Sequence, residues 1–297
     1  MNTGPAASQL SSWDARLANI PVAAKRLGKV WTWGVLSAAA RRFAALWPMW
    51  FCAVALTTLC AVGIDEASVG WVRDLPRPVT SFFQWLTDFG KSGWLLFPTG
   101  LFCLVLLVSD WRTVSRRVAA VWTEIGLMVG FAFLSIAGAG VICNIFKQFV
   151  GRGRPIVFDR DGAFSLLPFQ FDYAQASFPS GHATTMGALA VVVASVVPRA
   201  RWLAFAICAI VASSRMFVAA HYPSDVVAGF ALGAAFAWFL ALALAEAGVA
   251  LAHGPGGTIK ARATAIRSVF SRSGGFSIAM GCLWLAILGF VLPTAAV

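Results

Sequence analysis

Residues 125–146 read IGLMVGFAFLSIAGAGVICNIF, 22 positions without a charged side chain, and Lys147 closes the run. A helix needs about 20 mostly apolar residues to cross a bilayer, so this stretch reads as a membrane span. Working outward, charge-free runs recur at Phe43–Ile64, Ser92–Ser109, Ala183–Pro198 and Val226–Ala245, and the run from Trp202 to Ala220 is broken only by Arg215. These six runs predict an all-α integral membrane protein with a six-transmembrane-helix core. A seventh apolar run, Ser273–Val297, is long enough to span. Gly274, Gly275 and Pro293 shorten its helical part, so it is expected either to cross the membrane or to lie at the interface. Composition agrees: 59% of the 297 residues are apolar, 12% are charged, and mean hydropathy is +0.78. Soluble chains carry about twice that share of charge, which excludes an ordinary soluble fold, disorder or a disulfide scaffold.

The net charge of +11 is unevenly placed. The N-terminus and every second loop hold 15 of the 23 Lys and Arg but only four of the 12 acidic residues; the other loops hold eight and eight. The positive-inside rule makes the first set cytoplasmic and the second set periplasmic or external. The excess charge is thereby explained without nucleic acid. The expected organisation is a basic cytoplasmic segment 1–42, a six-span domain 43–250, a cytoplasmic basic linker 251–272 and a terminal apolar helix 273–297. The first apolar run starts too late for a secretory signal. Residues 20–40 mix Lys25, Arg26 and Lys29 with Trp31, Trp33, Val35 and Leu36, which suits either an interfacial basic helix or an unstructured tail. The six cysteines lie in apolar runs without metal-ligand spacing and read as core residues.

Three polar clusters gather on the external side. The first is Lys147-Gln-Phe-Val-Gly-Arg152-Gly-Arg154-Pro155. Lys147 and Arg154 would share a helix face if the helix persisted, although Gly151 and Gly153 weigh against it. The second is Pro179-Ser180-Gly181-His182, with Ser180 as a natural N-cap and a helix N-terminus suited to phosphate. The third is Ser214-Arg215 through His221 to Asp225, where Arg215 interrupts an apolar run and therefore requires a partner or an anion. Taken singly, each has a bland reading: snorkelling cations, a plain cap, a surface ion pair. Together they bring three cations, an anion nest, two of the three histidines and a carboxylate to one side of the membrane. Three cations suit a phosphoryl group, one histidine can be a covalent nucleophile, and the other can protonate the leaving oxygen. No metal or cofactor is needed, and the cations would repel a metal.

Lys147-x6-Arg154-Pro155, Pro179-Ser180-Gly181-His182 and Ser214-Arg215-x5-His221-x3-Asp225 resemble the three signature motifs of the type 2 phosphatidic acid phosphatase family, which includes membrane lipid phosphate phosphatases and vanadium haloperoxidases. All eleven signature positions match in order. The resemblance implies a six-helix core with an outward-facing site. It implies that His221 attacks phosphorus to form a phosphohistidine, that Asp225 orients His221, and that His182 is the general acid. It implies that Lys147, Arg154, Arg215, Ser180 and Gly181 bind the phosphate oxygens. Arg152 and Arg160 lie outside the signature and are expected to be solvated rather than to contact a headgroup.

The expected function is metal-independent dephosphorylation of a membrane lipid phosphate or diphosphate: undecaprenyl diphosphate, phosphatidylglycerol phosphate, phosphatidic acid or a lipid A phosphate. The partners are then the lipid substrate and the bilayer, in a bacterial inner membrane. A lipid-to-lipid phosphotransferase uses the same groups. A transporter or scaffold with an incidental anion site leaves the catalytic set unexplained, and a soluble-type haloperoxidase does not fit a site framed by apolar spans.

Overall fold

The computed structural model describes residue 17 and residues 19–266. The seventh apolar run therefore lies outside the described residues. Helices α1 (Asn19–Gly28), α2 (Trp33–Ala44), α3 (Trp47–Gly63), α4 (Asp65–Arg73) and α5 (Arg77–Thr87) lead to α6 (Gly93–Val108) and the 35-residue α7 (Arg116–Val150). After a long loop come α8 (Gly181–Val196), α9 (Arg201–Phe217) and α10 (Pro223–Glu246). Strands β1 (Leu251–His253) and β2 (Ile259–Ala261) pair antiparallel. The stretch expected to be a linker thus contains a hairpin, turned by Pro255, Gly256 and Gly257. Residues 19–28 take the helical one of the two readings, and the Asn19 side chain ties that helix to Leu107 O (3.1 Å) and Ser109 O (2.7 Å).

Each of the six expected core spans contains a helix, and the protein is an integral membrane protein of mainly α-helical fold. The span count is less simple. Among the described residues four helices are long and apolar enough to cross: Arg77–Val108, Arg116–Val150, Pro198–Phe217 and Pro223–Glu246. Arg77–Val108 joins α5 and α6 through a turn at Asp88–Gly90. Helices α2 and α3 qualify together but are bent by 60°. Helix α8, with 16 residues, is about 24 Å long and falls short of a full crossing.

Helix α8 lies inside the bundle, packed on α7, α9 and α10. Its contact with α10 is a backbone contact. A Cβ at Gly187 would lie 2.0 Å from Phe230 O, one at Gly233 1.9 Å from Thr184 O, and one at Gly229 2.4 Å from Ser180 O. Small residues let membrane helices approach this closely.

The nine ion pairs among the described residues respect the charge sorting. Arg42–Glu246, Arg112–Asp110 and His253–Glu246 join residues of the first set. Arg73–Asp159, Lys91–Asp88, Arg152–Asp65, Arg152–Asp225, Arg160–Asp161 and His221–Asp225 join residues of the second. No pair crosses between the sets, so the molecule has two chemically separate ends.

The backbone contact yields a prediction. Gly233→Leu must push α8 from α10, and overpacking of this kind costs about 1–3 kcal/mol or more. Its melting temperature in detergent is expected to fall by several degrees. Gly140→Leu, whose Cβ meets nothing within 4 Å, should melt like the wild type.

Candidate active site

The site is built where four segments meet at the second end. Helix α7 stops at Val150, and Gly151 takes a left-handed conformation (φ 58°). Only glycine fits, because a Cβ would lie 2.0 Å from Leu167 O. Lys147 and Arg154 therefore do not share a helix face: Lys147 is in the last turn, and Arg154 returns on a loop. That loop is pinned by main-chain hydrogen bonds Gly153 N to Ser165 O (3.0 Å), Arg154 N to Ala174 O (2.8 Å) and Ser177 N to Arg152 O (3.0 Å).

Lys147 Nζ donates to Ala176 O (2.6 Å) and Ser177 O (3.3 Å). Arg154 donates to Tyr173 O, Tyr173 Oη, Ala220 O and Ala176 O, and its guanidinium lies over the Tyr173 ring at 3.9 Å. Arg215, in the last turn of α9, donates to Thr87 Oγ1 (3.0 Å). Lys147 and Arg154 share Ala176 O as an acceptor, and Arg154 also donates to Ala220 O, whose own N–H is bonded to Arg215 O, so the three cations converge on one place.

Ser180 occupies the N-cap position of α8, but its hydroxyl makes no cap bond. Its Oγ is buried and unpartnered, as are His182 Nε2 and Arg215 Nε. Buried polar atoms are normally satisfied. Here three orphans come from two helix ends, the start of α8 and the end of α9, beside Lys147 and Arg154, with the N–H groups of the α8 N-terminus next to them. An anion with several acceptor oxygens satisfies that arrangement.

His221 lies between α9 and α10, buried at 4% exposure. Its Nδ1 is 3.6 Å from Asp225 Oδ2 and 3.4 Å from Ser177 Oγ. At 3.6 Å the carboxylate contact is electrostatic rather than a full hydrogen bond, and the Ser177 hydroxyl, which donates to Asp225 Oδ2 at 2.5 Å, completes the link. Nδ1 faces the carboxylate, leaving Nε2 as the free nitrogen. Burial pushes the imidazole down to about 3, against the opposing pull of Asp225. His221 is therefore neutral at pH 7, the form that carries a lone pair.

The structure corrects one expectation outright. Arg152 is not solvated: it is 5% exposed and donates to Asp225 Oδ1 (2.8 Å), Asp65 Oδ2 (2.8 Å), Ser224 Oγ (2.7 Å) and Ala163 O (2.9 Å). Arg160 is solvated, paired with Asp161 at the surface. Sequence reasoning missed Asp65, Ser177, Ser224, Thr87 and Gly90, the last of which packs against the His182 ring: a Cβ there would lie 2.9 Å from Cδ2. Asp65 gave one signal, as an acid directly after a 22-residue uncharged run.

Residues 128–248 match the PAP2 superfamily. A lipid A 1-phosphatase of Rhizobium etli is 36% identical over 212 residues, 69% of this chain and 86% of the relative. The chain belongs to the PAP2 superfamily. A lipid A 1-phosphatase of Rhizobium johnstonii is likewise 36% identical over 193 residues, covering 65% of this chain and 78% of that protein. An undecaprenyl-diphosphatase of Sulfolobus acidocaldarius is 33% identical over 111 residues, 37% of this chain and half of that protein. No solved structure matches. As a superfamily member the chain is a hydrolase, a phosphatase of lipid phosphates.

Two predictions follow from the site. Orthovanadate or inorganic phosphate should raise the melting temperature of the wild type, by the mass-action gain of a ligand that binds only the folded state. Arg215→Ala or Lys147→Ala should abolish the shift. Acid should also act through His221. Its folded value is depressed, so between pH 6.5 and 5 the unfolded chain takes up a proton that the folded chain does not. Stability should fall by up to about 1.4 kcal/mol per pH unit in that window. Melting temperatures of His221→Gln should decline less steeply there.

Proposed function

We propose that this protein removes phosphate from a membrane lipid through a phosphohistidine on His221, without a metal. The observation that carries the reading is the set of orphaned buried atoms, Ser180 Oγ, His182 Nε2 and Arg215 Nε, gathered beside a neutral buried His221.

In the first step His221 Nε2 attacks phosphorus and the bond to the lipid oxygen breaks. His182 gives its proton to that oxygen. Lys147, Arg154, Arg215, Ser180 Oγ and the Gly181 N–H hold the three equatorial oxygens, where the charge is spread in the transition state. The arriving phosphate dianion offsets the three cations, which favours the protonated His182 needed for this role. Asp225 and Ser177 hold Nδ1–H and compensate the positive charge that forms on the imidazole. In the second step His182, now neutral, takes a proton from water, which attacks phosphorus and releases His221.

The substrate reading we favour is lipid A carrying a 1-phosphate, because both lipid A 1-phosphatases align over most of their length. The undecaprenyl-diphosphatase aligns over half of its own length and supports a lipid diphosphate as the second reading. The layout we propose is a six-span domain over 43–250 in the inner membrane. The bent α2–α3 pair supplies one span, α8 serves as a short inner one, and the site faces the periplasm, opposite the more basic end. Phosphotransfer to a second lipid is the alternative fate of the phosphohistidine.

The test is inorganic phosphate release by detergent-purified protein from a panel of lipid phosphates with EDTA present. EDTA-resistant, vanadate-sensitive release is expected. His221→Ala should lower it at least about 1,000-fold, as loss of a catalytic nucleophile does. Release that EDTA stops, or that survives in His221→Ala, sinks the mechanism. Phosphate release without an acceptor lipid marks hydrolysis, whereas phosphate that appears only on an added acceptor lipid marks transfer.

A further inference from the structure

We propose that Asp65 is a positioning residue for phosphoryl transfer: acting through Arg152 and Ser224, it fixes Asp225 and the start of α10, and so aims His221 at phosphorus. The proposal rests on His221 as the nucleophile.

Asp65 is fully buried at the start of α4 and lies 159 residues from Ser224 in sequence. Its Oδ1 accepts Ser224 N (3.0 Å), and its Oδ2 accepts the Ser224 hydroxyl and Arg152 Nη2 (2.8 Å). Ser224 N is one of the first N–H groups of α10, which have no partner within the helix. Asp65 supplies that partner from across the molecule. Asp225 reaches back to Tyr222 N (3.0 Å), so the turn that carries His221 is held from both sides.

Charge gives Asp65 its second effect. Arg152 lies between two buried carboxylates, 2.8 Å from each, with its guanidinium 4.4 Å from the Tyr222 ring centroid. With Asp65 ionised, the Asp65–Arg152–Asp225 row carries one net negative charge. That charge is left to compensate the positive imidazole that forms when Nε2 takes phosphorus. Without Asp65 the row is neutral, Arg152 draws on Asp225 alone, and phosphoenzyme formation becomes harder. Asp65 makes no hydrogen bond or ion pair with Lys147, Arg154, Arg215, Ser180 or His182, so binding of the phosphate should be little changed.

The experiment uses the full chain in detergent with the lipid phosphate that the wild type cleaves best. Asp65→Asn is expected to lower kcat by about 10- to 100-fold, the size of effect that partners of liganding side chains show. KM and the inhibition constant of inorganic phosphate should stay within about twofold, and phosphoenzyme quenched in alkaline detergent, where phosphohistidine survives, should form more slowly by the same factor as kcat. Arg152→Lys should keep more activity than Arg152→Gln. Should Asp65→Asn not fold, Ser224→Ala, which removes only the hydroxyl shared by Asp65 and Arg152, should show the same split at smaller size. Wild-type kcat in Asp65→Asn beside an inactive His221→Ala overturns the proposal alone. So does a loss in which KM, inhibition by inorganic phosphate and melting temperature all move together. An active His221→Ala, or a wild type without trapped phosphoenzyme, overturns the nucleophile reading and this proposal with it.

Discussion

The contact on which the site depends is backbone against backbone. Gly187, Gly229 and Gly233 bring α8 and α10 so close that carbonyl oxygens fill the places of missing side chains. The same approach lets Ser180 N donate to Asp225 O at 2.9 Å. The buried N-terminus of α8 and the His221–Asp225 pair at the start of α10 are therefore one rigid assembly. Packing in a membrane has little hydrophobic drive between helices, so close van der Waals fit and buried hydrogen bonds must hold such an assembly.

The buried charges are arranged for geometry more than for stability. Replacing a buried ion pair by apolar groups is often neutral or stabilising, whereas removing one partner costs about 3–5 kcal/mol. Arg152 with Asp65 and Asp225 thus gives the fold little net stability, yet constrains it strongly. Lys147 and Arg154 are similarly held, by main-chain carbonyls at residues 173, 176, 177 and 220. Their positions are set by the fold alone, as the proposed stabilisation of a phosphoryl group requires.

What the sequence disclosed and what it hid divide along sequence distance. Lys147 to Pro155, Pro179 to His182 and Ser214 to Asp225 each lie within a few turns of chain, so their chemistry was legible locally. Arg152 and Arg160 look alike in sequence, eight positions apart. One is buried between carboxylates 73 and 87 residues away and the other sits at the surface, which no local pattern distinguishes. Ser180 was legible as an N-cap position, but not as one whose hydroxyl is withheld from the cap. The helices were legible from charge-free runs. Their lengths were not, because α8 starts at the site within the bundle and α2–α3 bends.

The separation of ion pairs into two ends has an energetic consequence for turnover. Moving one elementary charge across a membrane is worth about 2.3 kcal/mol per 100 mV. Here Lys147, Arg154, Arg215, His182, His221 and Asp225 belong to one end, and in the proposed cycle the proton that His182 gives and regains never enters the apolar middle. The cycle proposed above is therefore electrically silent across the bilayer, and on that proposal a cell's membrane voltage neither drives it nor holds it back.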